Sequence, residues 1–305
     1  MEKVLVTGIA GGQGQVVANR LIGEYEVIGV DKAQWDARPP AVRFYQLDHR
    51  KKRFEDVIRR ERPSAIVHLA FIRHFEDDPA IRHEVNVAGT KRLLEFAVSY
   101  GVKKLVIFSS SYVYGALPEN PFYMDESYPL NASRTYPEVR DLVEVDTLAS
   151  AYLWRYPEIA ISVLRPVSIL GYHANNAITR YLGLDYVPTV LGFNPMMQFI
   201  HEDDVAEAIA RTIACGLRGV FNLTGASAVP LKVAIAETGG TAVPLPEFVS
   251  RGLVTSLFRW GLYPFPPGAI DFAKYPCTLD GSRFESATGF KPNFTLEQTF
   301  AGMRQ

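Results

Sequence analysis

Apolar positions along the chain fall into two textures. Short β-branched runs that are apolar nearly throughout occur at 3–7 (KVLVT), 26–31 (EVIGVD), 43–48 (RFYQLD), 65–70 (AIVHLA), 104–110 (KLVIFSS) and 160–166 (AISVLRP). Between them apolar residues recur at helical spacing, as Val85, Leu93, Leu94 and Ala97 do within 85–100. A strand without a polar side is covered on both faces, and helices between such strands carry parallel crossovers. The pattern therefore predicts an α/β fold, a Rossmann-type doubly wound parallel sheet. Past about residue 166 Pro and Gly become frequent and a long aromatic tract occupies 247–272. A helical pattern at 201–216 followed by GVFNLTG at 219–225 reads as a return to the main sheet. The expected organisation is a cofactor-binding sheet domain over 1–166 with 198–223 returning to it. A smaller, discontinuous C-terminal substrate lobe is expected from 167–197 and 224–305.

At 305 residues and 48% hydrophobic, the chain is able to bury a large core. The formal net charge of -1, with HRKKR at 49–53 as its one short basic run, excludes a nucleic-acid groove or a polybasic membrane anchor. Cys215 and Cys277 are far apart in apolar surroundings, which fits inert thiols better than a disulfide framework. The N-terminus enters a strand at once without a signal-peptide pattern, and no apolar run reaches the roughly 20 residues of a membrane span. These features predict a cytoplasmic chain with no transmembrane segment. The 6 histidines lack the spacing of zinc ligands, so no metal site is expected.

The first strand runs into VTGIAGGQGQVVANRL, with Gly8, Gly11 and Gly14 spaced GxxGxxG and Gly12 and Gln13 inside the same turn. Such a turn needs one glycine to reverse tightly, a second where backbone approaches a pyrophosphate at a helix N-terminus, and a third for helix–strand packing. Asp31 ends the second strand, followed by Lys32. A carboxylate there accepts both hydroxyls of an adenosine ribose and repels a 2′-phosphate, which predicts NAD rather than NADP.

Ordered marks extend along the chain: TGIAGGQG, VIGVD, Leu47-Asp48, VHLA at 67–70, NVAGT at 86–90 and SSSYVYG at 109–115. They continue with Tyr136, LRPVSILG at 164–171, QFIHEDDVAEAI at 198–209 and TGFKPNFTLEQT at 288–299. Over essentially its whole length the chain resembles the extended short-chain dehydrogenase/reductase family, the NAD-dependent epimerase/dehydratase type. The resemblance implies that Tyr136 moves a proton to or from a substrate hydroxyl while Ser110 holds the substrate oxygen. A phenol with an ordinary pKa near 10 needs a neighbouring cation for this work. The resemblance puts a lysine four residues after the tyrosine, where this chain has Arg140, whose planar head keeps the charge but not the shape of an ammonium. If the segment is helical, Tyr136 and Arg140 share a face. A YxxxK string at Tyr100 and Lys104 spans a helix end and a strand start, and reads as coincidence.

Further cofactor contacts implied by the resemblance are Asp48 near adenine, then Leu69, Ala70 and Phe71 along the phosphate-to-ribose path. Asn86 is expected to support the central helix, with Ser109 and Pro166 at the nicotinamide end, and a homodimer is implied. Arg73 falls where some sugar epimerases carry a lysine. The expected grips on a sugar-nucleotide diphosphate are missing, with Ser168, Met197 and Ile270 near those positions and only Lys274 close by. Phe248, Leu253, Leu257, Phe258, Trp260, Tyr263 and Phe265 instead suit an apolar substrate. Arg251 and Arg259 within 247–272 also permit a segment resting on a membrane surface. Two functions compete: an NAD-dependent oxidoreductase or epimerase at a secondary alcohol or ketone, and a non-catalytic NAD-binding sensor or scaffold.

Overall fold

In the computed structural model, which describes residues 1–72, 78–249, 252, 256 and 267–303, seven strands form one sheet. They are β1 (Lys3–Thr7), β2 (Glu26–Asp31), β3 (Arg43–Gln46), β4 (Ala65–His68), β5 (Lys104–Phe108), β6 (Ala160–Pro166) and β10 (Gly219–Leu223). The order is β3-β2-β1-β4-β5-β6-β10, and every neighbouring pair is parallel. Strand order reverses between β1 and β4, which opens a crevice at their carboxyl ends.

Period-two alternation within β1 explains why both faces are covered. Val4 and Val6 point into one core with Val17 and Leu21 of α1 (Gly12–Leu21) and Ile209 and Ile213 of α7 (Glu202–Cys215). Leu5 points the other way. It joins Phe54 and Ile58 of α2 (Lys52–Glu61), Leu93 and Leu94 of α4 (Gly89–Ser99) and Val145 of α5 (Arg140–Arg155). The helix expected over 85–100 begins earlier: α3 (Pro79–His83) starts on Pro79 with Asp78 capping the Ala80 amide, and a π turn at Glu84–Ala88 joins it to α4. Asp before Pro is a helix-start signal in its own right.

A three-stranded sheet holds β7 (Ser168–Leu170), β9 (Met196–His201) and β11 (Ala228–Pro230), and β8 (Tyr186–Val190) pairs with β12 (Thr241–Leu245). Residues 198–201 therefore pair with β7 and β11, whereas the helix and strand after them, α7 and β10, return to the main sheet. α6 (Ala177–Leu182) and α8 (Leu231–Glu237) cover the small sheets. α9 (Ser282–Thr288) packs Phe284 into the main core together with Phe290, and α10 (Leu296–Ala301) sets Phe300 against Phe199. Thus part of 279–290 belongs to the main core although its sequence position suggested the lobe. Among the described residues no helix is long and apolar enough to cross a membrane. Arg73, Arg251, Leu253, Leu257, Phe258, Arg259, Trp260, Tyr263 and Phe265 lie outside the described residues.

Candidate active site

The turn after β1 is built on Gly8, at φ 73°, whose amide donates to Val30 in β2. A Cβ on Gly8 would stand 2.7 Å from the Leu69 carbonyl carbon, and one on Gly14 would stand 2.7 Å from Ile9 Cα. The glycines thus let the turn, the start of α1 and the β4 exit close on one another. Asp31 is held open at the end of β2: Oδ2 accepts from the Ala10 amide at 3.0 Å and Oδ1 from the Ala33 amide at 2.9 Å. Each oxygen keeps lone-pair capacity for a hydroxyl donor.

Two adjoining cavities meet at Gly8, Gly11, Leu69, Phe71 and Ile72. One, of about 160 Å³, is also lined by Asp31, Lys32, Asp48 and Ala70. The other, of about 330 Å³, is also lined by Gly12, Gln13, Gly14, Asn86, Ser109 and Asp141. Paired carboxylate acceptors at one end, glycine backbone and a helix N-terminus in the middle, and polar side chains at the far end match the chemistry of a dinucleotide. On this ground the residues present fit NAD.

Several of these side chains have partners that define what they are able to do. Asp48 accepts from Arg50 Nη2 at 2.6 Å and Nε at 3.0 Å, and these hydrogen bonds hold its carboxyl down at about 2. Asn86 does not sit at a helix start. From the π turn its Oδ1 accepts from the Ile72 amide at 2.8 Å and its Nδ2 donates to the Ile72 carbonyl at 2.9 Å, fixing the chain that leaves β4. Ser109 donates to Asp146 at 2.6 Å. Ser110 accepts from the Tyr112 amide at 3.2 Å and caps the short turn Ser111–Tyr114, so its hydroxyl proton stays available. Pro166 ends β6 in register with Leu223, and it is Val167 and Ser168 beyond it that face a cavity.

Tyr136 and Arg140 do not share a helical face. Pro137 restricts the residue before it to extended backbone, and Tyr136 accordingly has φ -131° and ψ 79° ahead of a 3₁₀ turn at Pro137–Val139. α5 starts only at Arg140. Arg140 is exposed and has no hydrogen bond or ion pair among the described residues, whereas Asp141 and Leu142 beside it line the larger cavity. The expectation of a shared helical face for Tyr136 and Arg140 is corrected by this geometry.

Tyr136 itself is 2% exposed. It packs with Ala132, Val139, Tyr112, Ala269 and Phe272, with 6.0 Å between its ring centroid and that of Phe272. A Cβ on Gly268 would stand 2.7 Å from Tyr136 Cδ2, so the turn at 267–273 lies directly on the ring. Burial, then the neighbouring Tyr112 and Glu138, push the phenol well above its ordinary range, and the charge of Arg82 opposes them. Arg82 reaches the site from α3, where its Nε donates to Asp141 Oδ2 at 3.0 Å. Sequence reasoning missed this residue. The signal was available, because Arg82 stands three positions ahead of the core residue Val85 on the same helical run.

Beyond Tyr112 and Phe272 lies a small cavity of about 20 Å³, lined also by Ser111, Ser168, Met197, Tyr275 and Cys277. Burial pushes both the Tyr112 phenol and the Cys277 thiol up to about 12, so the thiol stays protonated; it donates to the Ser111 carbonyl. Ile270 is buried against Val190. Lys274 pairs with Glu247 at 2.7 Å and lies over the rings of Phe193 and Tyr275, so its charge is already engaged. Tyr100 donates to Glu55 and Lys104 pairs with Glu2, which sets that YxxxK string at the amino edge of the sheet, away from the cavities. His173 was not foreseen. It lines the larger cavity with its Nδ1 2.9 Å from the buried Glu202, and its backbone packs on Gly12.

The model of the NAD dependent epimerase/dehydratase family matches residues 4–223. An uncharacterized protein of Mycobacterium tuberculosis is 28% identical over 310 residues, spanning 97% of this chain and 82% of its own length. UDP-glucose 4-epimerase of Mus musculus is 30% identical over 306 residues, spanning 82% of this chain and 86% of its own. A solved UDP-glucose 4-epimerase from Stenotrophomonas maltophila, with bound NAD and formylated UDP-arabinopyranose, superposes with a TM-score of 0.78. At 19% identity it covers 100% of this chain and 97% of its own, a likeness of fold.

Proposed function

The chain belongs to the NAD-dependent epimerase/dehydratase family, and from that premise we propose that it is an NAD-dependent oxidoreductase or epimerase acting at a secondary alcohol or its ketone. The observation that carries this reading is the position of Tyr136. Its neighbours Tyr112 and Phe272 line the small cavity, and Asp141, at the start of α5, lines the larger one, which supports a phenol acting between cofactor and substrate spaces. Asp31 takes the adenosine ribose, the Gly8–Gly14 turn takes the pyrophosphate, and Ser110 donates to the substrate oxygen. Tyr136 accepts the proton of a substrate hydroxyl during oxidation and returns it during reduction. When bound, NAD supplies the hydride acceptor.

The substrate class proposed is an apolar alcohol or an atypical sugar. Tyr112, Met197, Phe272 and Tyr275 offer rings and a thioether around the small cavity, which at about 20 Å³ holds no more than about one water as it stands, so a substrate must displace part of this wall. Lys274, the cation nearest the expected phosphate grip, is already paired with Glu247. Sugar nucleotides named for the relatives are the comparison set. A second reading, a non-catalytic NAD-binding sensor or scaffold, is favoured by one specific observation, the phenol closed off by the 267–273 turn while Arg140 faces solvent.

The test is turnover on a panel of apolar secondary alcohols and UDP- and dTDP-sugars, read by NADH absorbance and by NMR of products. Tyr136→Phe should lose about 10²–10⁴-fold of any turnover, the range of general acid–base assistance, with NAD affinity by calorimetry unchanged. Turnover that survives Tyr136→Phe would remove the tyrosine from the proton transfer, and no turnover on any member while NAD binds would move the protein to the sensor reading.

A further inference from the structure

We propose that His173, held by Glu202, is a further cofactor-binding residue, a cation that grips the pyrophosphate of NAD at the start of α1. The inference rests on NAD as the cofactor and deepens that reading, and it is independent of the proton chemistry at Tyr136. The first turn of α1 is open to an anion: its N-cap is Gly11, which has no capping side chain, and the turn holds no acidic residue. Its free amides and the helix dipole therefore favour negative charge. His173 lines the larger cavity together with Gly11, Gly12 and Gln13. Packing fixes how near it stands, because a Cβ on Gly12 would overlap the His173 carbonyl oxygen and lie 3.2 Å from the His173 Cβ. Among the described residues that line this cavity, His173 is the one able to carry a positive charge, and the other ionisable group, Asp141, is an acid. A pyrophosphate is an anion, and a charge-assisted hydrogen bond to it is about twice as strong as a neutral one.

Glu202 explains how the ring is held. It opens α7, is 3% exposed, and its carboxylate accepts from the His173 amide at 3.0 Å on both oxygens and from the ring Nδ1 at 2.9 Å. Gly171, at φ 153°, makes the room, because a Cβ there would overlap the Glu202 carboxyl group. Gln13 ties the starts of the two helices together, its Nε2 donating to the Glu202 carbonyl at 3.1 Å. An ionised carboxylate only accepts, so Nδ1 carries the proton of this hydrogen bond and Nε2 is left as the nitrogen open to a ligand. Nε2 makes no hydrogen bond or ion pair among the described residues, and the His173 side chain is 43% exposed. When the ring holds both protons, Nε2 is a donor with a charge behind it. A strut between α7 and the loop after β7 would need only the backbone amide of residue 173. The ring adds an open nitrogen at the cavity, and Tyr172 packs edge-on against it with 5.0 Å between centroids.

The experiment measures binding of NAD, ADP-ribose and adenosine to the full-length protein, by calorimetry for the first two and by NMR titration for the weaker adenosine. NAD and ADP-ribose carry the pyrophosphate, whereas adenosine carries only the part assigned to Asp31. The expected result is that His173→Leu weakens NAD and ADP-ribose about tenfold or more, the scale of a hydrogen bond to a charged group, and leaves adenosine unchanged. His173→Arg, which keeps a cation at the position, should keep most of the affinity. Because His173→Leu strands Glu202, the double change His173→Leu/Glu202→Gln removes both charges and should show the same selective loss in a protein whose thermal melting confirms that it is folded. Unchanged NAD and ADP-ribose affinities in both Leu variants would overturn the proposal, since no grip is then lost. An equal loss for adenosine would overturn it as well, because the residue then only packs the turn. A failure of the cofactor reading looks different: the unmutated protein would bind neither NAD nor ADP-ribose, and the proposal would fall with it.

Discussion

Asp31 has two tasks at once. Its oxygens already hold the amides of Ala10 and Ala33, and the same carboxylate lines the cavity where we propose that the adenosine ribose binds. Removing it altogether would strand two backbone donors, so the informative change keeps an acceptor and removes the charge. Asp31→Asn should narrow the preference for NAD over NADP, measured by calorimetry, without a large loss of thermal stability. Equal affinities in the unmutated protein would refute the role of the charge. The places of Asp31 and Gly8 in the fold were legible because each sits at a strand end where the pattern fixes its direction, and that of Gly14 because it falls in the first turn of the helix that follows. The shared face of Tyr136 and Arg140 does not form for an equally local reason. Four residues are one turn only in a helix, and Pro137 in the string YPEVR was the available warning.

Elements read well where the physics is periodic. Near-continuous apolar runs gave β1, β2 and β6 at their observed ends, whereas the runs at 43–48, 65–70 and 104–110 overshot by two residues each. Those extra pairs, Leu47-Asp48, Leu69-Ala70 and Ser109-Ser110, have left the ladder at the carboxyl edge, and most of them line the cavities. The runs continue there because these positions stay at least half-buried at the carboxyl edge, not because the chain stays extended. The π turn at Glu84–Ala88 left no trace in the pattern, since one extra residue in a turn is a small phase slip. It nevertheless aims Asn86 at both polar groups of the Ile72 backbone. The turn between β1 and α1 tolerates less slack. A Cβ at Gly14 would overlap the backbone of Gly8 and Ile9, atoms that cannot rotate away. Gly14→Ala should therefore cost about 1–3 kcal/mol of stability, the usual price of overpacking, in urea unfolding. It should weaken NAD binding as well, because the turn itself must shift. Unchanged binding with lowered stability would separate the packing role from the cofactor role.

At the scale of the whole molecule, the main sheet hands over to the small sheet where β6 ends and β7 begins, and a buried polar network sits at that crossing. Arg165, 4% exposed, donates to Asp146 of α5 at 2.6 and 2.9 Å and to the Tyr114 hydroxyl at 2.7 Å. Tyr114 donates to Asn222 of β10, whose amide reaches the carbonyls of Met124 and Asp280. Ser109, at the larger cavity, hangs on the same Asp146. Sequence alone marked Arg165 only as part of LRPVSILG, since partners spread over five segments leave no spacing to read. The network ties the cavity wall to the seam between the sheets, so its loss should register in both. Arg165→Met leaves Asp146, which is 0% exposed, charged and without its main partner. That change should cost about 3–5 kcal/mol in urea unfolding, as expected when one member of a buried pair is removed. Arg165→Met/Asp146→Leu should recover much of it, because no charge is then stranded, yet leave Ser109 without its acceptor. Recovery of stability with NAD affinity still lowered would show that the pair positions the cavity wall; recovery of both would show that any well-packed core at the seam suffices.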